Sequence, residues 1–90
     1  MSSSDYLETP DVVTSDPKSF EILSVWIANG SQYTSVRESA WEDPAAWGIM
    51  LHDIMRTIAS SYSEKNRTTI DENLARIKLG FFAEESAANG

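Results

Sequence analysis

The apolar positions of this chain fall into periodic runs, and the period changes after the first of them. Glu21-Ile22-Leu23-Ser24-Val25-Trp26-Ile27-Ala28 is dense in β-branched and aromatic residues. Ser31-Gln32-Tyr33-Thr34-Ser35-Val36-Arg37 returns after Asn29-Gly30. Asn-Gly tolerates the two positive φ angles of a type I′ turn, so the pattern predicts a β-hairpin. A two-residue loop fixes the register: Ile27 opposite Gln32, Trp26 opposite Tyr33, Val25 opposite Thr34 and Leu23 opposite Val36. One face then carries Leu23, Val25, Ile27, Thr34 and Val36 and is expected to cover the core. The other carries Ile22, Ser24, Trp26, Tyr33 and Ser35, which is more aromatic than a plain solvent face.

Beyond the hairpin the period becomes helical. Trp41-Glu42-Asp43-Pro44-Ala45-Ala46-Trp47-Gly48 reads as a helix start, with Asp43 as N-cap and Pro44 at the first helical position. Trp47, Leu51, Ile54, Ile58 and Tyr62 recur at helical spacing and, with Met50 and Met55, form one apolar stripe. The helix is expected from about Pro44 to Tyr62, with Ser63 to Thr68 as a polar connection. Thr69-Ile70-Asp71-Glu72 has the pattern of a capping box and opens a second helix. Ile70, Leu74, Ile77 and Phe81 mark its inner side. Ala75, Leu79 and Phe82 form a second apolar strip more than about 100° around the axis, which calls for a further neighbour.

The expected fold is α+β: a β-hairpin packed on two antiparallel helices (ββαα), extended to a four-stranded sheet across a dimer. Residues 1–19, with Pro10, Pro17 and many Ser and Thr, read as a flexible lead-in that ends in a turn at Asp16-Pro17. Residues 20–85 form the single α+β domain, and 86–90 form a tail expected to fray.

These elements resemble a small bacterial family known as domain of unknown function 5076, through Val25-Trp26-Ile27-Ala28-Asn29-Gly30 and Trp41-Glu42-Asp43-Pro44-Ala45-Ala46-Trp47-Gly48. Leu74-Ala75-Arg76-Ile77, Gly80-Phe81 and Glu84 add to the likeness, which covers roughly residues 20–84. The resemblance implies a short compact protein and carries no activity with it.

Composition narrows the chemistry. Seven basic against 14 acidic residues argue against a nucleic-acid surface, because phosphate binding needs concentrated Lys and Arg. The absence of cysteine removes disulfides, thiolate nucleophiles and thiolate metal sites together. No membrane span and no secretory signal are expected, so the expected location is cytoplasmic. Carboxylates and the single histidine, His52, do not repeat at a metal-ligand spacing, and no metal or cofactor is expected. The four glycines stand singly, so there is no phosphate loop. No catalytic residue is assigned.

Two functions remain. In the first, the chain is a homodimeric interaction module, open to a further protein partner, with Trp26, Tyr33, Leu79 and Phe82 at the interface. In the second, it is a small ligand-binding protein or enzyme. Its pocket would lie between hairpin and first helix and be lined by Trp41, Trp47 and His52, with Arg56 one turn from His52 on the same face. The first is the expected reading. Small size, the absence of cross-links and unpaired aromatics all favour association over chemistry.

Overall fold

The structure, a computed structural model, describes residues 7–89; the first six positions of the expected lead-in and Gly90 of the expected tail lie outside the described residues. Six elements follow in order among the described residues: α1 (Asp11–Ser15), β1 (Leu23–Ala28), β2 (Ser31–Val36), a single 3-10 turn (Glu38–Ala40), α2 (Ala45–Asn66) and α3 (Ile70–Asn89). The fold is α+β, and its main elements follow the expected order ββαα. The chain divides into two compact units between Ala40 and Trp41.

In the first unit the turn chemistry decides the structure. Asn29 and Gly30 hold φ angles of 52° and 77°, the positive pair that a tight hairpin requires. The strands pair antiparallel in the expected register, with Trp26 opposite Tyr33 and Leu23 opposite Val36. Arg37 N–H donates to Ile22 O at 2.9 Å and carries the ladder one step further. Within the expected lead-in, Pro10 O accepts from Val13 N–H at 2.9 Å and starts the five-residue α1. Asp16 then closes the expected turn, accepting Lys18 N–H on its carboxylate at 2.9 Å and Ser19 N–H on its carbonyl at 3.1 Å.

Burial on the hairpin differs from expectation. Of the face meant to cover the core, only Leu23 is half-buried; Val25, Thr34 and Val36 are exposed, and Ile27 is 74% exposed. Register aligns side chains on a face, but burial needs a second layer. The only α-helix among the described residues of this unit is α1, which buries none of its residues.

In the second unit, Asp43 Oδ1 accepts Ala45 N–H at 2.9 Å, and Pro44 already has helical dihedrals (φ −56°, ψ −21°). Asp43 is therefore the working N-cap, with proline at the first helical position as expected. The helix runs past Tyr62 to Asn66. Ser63, Glu64 and Lys65 carry no helix breaker, so their polarity marks an outer face and not an end. It stops where Arg67 takes the left-handed conformation (φ 57°, ψ 34°) and its N–H donates to Ser63 O. Thr69 Oγ1 then accepts Glu72 N–H at 3.0 Å, the forward half of the capping box. α3 continues to Asn89, through most of the stretch expected to fray.

α3 turns back along α2 over a small contact. Ala59 is fully buried and Leu74 is 7% exposed; these two are the buried hydrophobic residues among the described residues. Met55, Ser63, Ile70, Ile77 and Lys78 are half-buried around them. The stripe expected to form the core of α2 lies elsewhere: Leu51, Ile54, Ile58 and Tyr62 are all exposed. Helical phase explains this. Leu51, Ile54, Ile58 and Tyr62 lie roughly 60° to 140° around the axis from Ala59, so α3 seats on the edge of the stripe, on a line of smaller and more polar side chains.

Candidate interaction surfaces

The hairpin presents the first surface. Trp26 and Tyr33 face each other across the strands and are 52% and 54% exposed. Directly opposed side chains start about 5 Å apart at Cβ, so the two residues stand on one face of the hairpin. Beside them runs a depression of about 430 Å³ whose lining includes Ile22, Ser24, Trp26, Ser35 and Arg37. Arg37 fixes its far end: its Nε donates to Glu21 O at 3.0 Å, and its guanidinium lies 5.5 Å from the Phe20 ring centroid. Arg37 ends the second strand run in the sequence, and nothing in the pattern singles it out for this role.

On the helical unit, Leu79 and Phe82 are exposed on the same flank of α3, and Phe82 meets Phe81 edge-on at 5.5 Å. Trp41 and Trp47 also come together, edge to face, with centroids 5.1 Å apart and planes at 81°. They clamp the start of α2, as two aromatics straddling a capped helix start suggest. His52 does not join them. It follows Trp47 by five residues, roughly 140° around the helix, and both it and Arg56 are exposed. Arg56 instead lines a polar depression of about 340 Å³ with Thr57, Ser60, Ser61, Glu64 and Ile70.

The groove between α2 and α3 on the other face is more apolar. Ile58, Tyr62, Asn73, Arg76 and Ile77 line a volume of about 330 Å³. Asn73 is the residue whose role sequence reasoning missed. Its Nδ2 donates to Ala59 O at 3.1 Å and it exchanges hydrogen bonds with Thr68 Oγ1 at 2.8 and 3.1 Å. It thereby ties the start of α3 to the buried centre of α2. The signal was present, since an Asn in the first turns of a helix is a weak helix former whose side chain tends to bond backbone.

No group of three or more His, Cys, Asp or Glu side chains able to hold a metal ion occurs among the described residues. No helix there is long and apolar enough to cross a membrane.

Comparison with known proteins agrees with the expected kinship. The chain belongs to the family described as domain of unknown function 5076, whose sequence pattern matches residues 6–88. No curated protein matches it. Among solved structures it is similar to a protein from the photosynthetic bacterium Rhodopseudomonas palustrus CGA009 that is provisionally named a pyruvate dehydrogenase. The two are 34% identical with a TM-score of 0.72, over 96% of this chain and 87% of that one.

Proposed function

We propose that this family member is a homodimeric interaction module, cytoplasmic and without catalytic activity of its own. One observation supports the reading above the others. Both units complete their hydrogen-bonded elements, yet the buried hydrophobic core of the described residues amounts to Ala59 and Leu74. A two-stranded hairpin alone is marginal in water, and neighbouring exposed apolar side chains mark association surfaces. Trp26, Tyr33, Leu79 and Phe82 are the proposed contact residues, because Trp and Tyr are favoured at interface hot spots and Leu79 and Phe82 add apolar area. Strand pairing across a two-fold axis would join two hairpins into one four-stranded sheet and remove an exposed edge. The occupant is a second copy, with a different protein as the next candidate. Sedimentation equilibrium at micromolar concentration tests this. A mass twice the 10.0 kDa of the chain is expected, and a well-folded monomer would overturn the reading.

The name of the Rhodopseudomonas relative favours a second reading, in which the chain takes part in pyruvate oxidation. Pyruvate-dependent turnover by the purified chain, abolished by His52→Ala with fold and assembly intact, would establish it. The interaction module instead tolerates His52→Ala and responds to Trp26→Ala.

A further inference from the structure

We infer that the two-fold contact of the dimer is centred on the apolar stripe of α2, laid antiparallel against the same stripe of a second copy. The inference rests on the dimeric state proposed above but not on its strand pairing: it moves the two-fold axis from the hairpin edge to α2.

Three observations carry it. The first is angular. The stripe stands near 100° from the line on which α3 seats. That is the placement a helix needs when one neighbour is its own hairpin mate and the other belongs to a second helical pair, as in a four-helix bundle. The second is shape. Leu51, Ile54, Ile58 and Tyr62 are exposed in the single chain, and Ile54 lies midway between Trp47 and Tyr62. An antiparallel pairing about Ile54 sets Leu51 of one copy against Ile58 of the other. It also brings Trp47 of each copy to the groove formed by Tyr62, Asn73, Arg76 and Ile77 of its mate.

The third observation is charge. Lys65 lies on the line of the stripe, about five turns beyond Trp47, while Glu42 and Asp43 stand at the opposite end. In an antiparallel pair the ends exchange, so each Lys65 meets the acidic pair of the other copy. A parallel pair would instead set Lys65 against Lys65 and carboxylate against carboxylate. The sign pattern therefore favours a second copy in one orientation, and it sets register as well as partner.

The test is sedimentation equilibrium of the full chain, with far-UV circular dichroism as a control for folding. Ile54→Lys places a cation of each copy at the two-fold centre and should weaken the dimer at least ~100-fold, with helicity retained. Lys65→Glu should weaken it by about 3- to 10-fold, and adding Glu42→Lys should restore it. Should Ile54→Lys unfold the chain, cross-linking decides. The chain has no cysteine, so Ile54→Cys should oxidise to a disulfide-linked dimer much faster than Asp53→Cys, roughly 100° away on the same helix. A wild-type chain that sediments as a folded monomer overturns the dimeric reading itself. A wild-type dimer that survives Ile54→Lys but is lost in Trp26→Ala overturns only the α2 assignment and moves the contact to the hairpin. Equal cross-linking at positions 53 and 54 also overturns it.

Discussion

The hairpin and the helical pair solve the same problem by different means. β1 and β2 are aligned by two backbone angles at Asn29 and Gly30, and the strands need no buried side chain to find their register. α2 and α3 owe their alignment to a small buried centre, Ala59 on one helix and Leu74 on the other, tied by the hydrogen bond from the Asn73 amide to Ala59 O. The first unit is specified locally and the second by a tertiary lock. Neither specification covers the apolar side chains that the sequence provides. Making an element and burying it are separate requirements, and this chain meets the first without meeting the second.

Substitutions can separate these two mechanisms. The largest effect is expected for Leu74→Ala, which should cost ~2–5 kcal/mol in chemical denaturation, because the site is buried and the neighbouring helix closes only partly over the gap. Asn73→Ala should follow at about 1–3 kcal/mol, since it leaves Thr68 without its partner and strips the cross-helix bond from Ala59 O. If the lock is tertiary, both changes should speed amide exchange in α2 and α3 and leave β1 and β2 unchanged.

Gly30→Val tests the local side of the comparison. A β-branched residue at a φ of 77° is strained by about 1–2 kcal/mol. Exchange should accelerate across β1 and β2 alone, and an equal response in α3 would contradict local specification. The smallest change has the opposite sign. A Cβ added at Gly80, inside α3, meets nothing within 4 Å, so Gly80→Ala should raise stability by up to ~1 kcal/mol. A loss of stability in thermal melts would mean that Gly80 lies beneath a partner.

Local chemistry was legible in the sequence wherever a residue acts on its own neighbours. The Asn29-Gly30 turn, the Asp43-Pro44 start and the Thr69 cap all follow from groups within three residues of one another. The end of α2 was less legible, because Arg67 terminates it in a conformation that no glycine or asparagine announces. The packing phase of α2 was not legible. Periodicity identifies Leu51, Ile54, Ile58 and Tyr62 as a stripe but not which partner the stripe faces, and α3 seats on Ala59 beside it. Among the candidate site residues, Trp41 and Trp47 come together as a ring pair, and Trp26 stands opposite Tyr33 across the strands. His52 stands apart, because a pocket made from distant residues leaves no period in the chain.

The Trp41–Trp47 pair has an optical consequence. Two indoles with centroids 5.1 Å apart and planes at 81° are close enough for their excited states to mix, so the pair should give a chiral signal in circular dichroism that neither ring gives alone. Because one ring precedes the α2 cap and the other lies in its first turn, that signal vanishes when the start of the helix opens, whatever the rest of the chain does. Trp26, the third indole, stands half in solvent in the other unit, where its emission should move to shorter wavelength when something covers it. The tryptophans thus supply two separate readouts without a label, one for the integrity of a helix start and one for the occupancy of the hairpin surface.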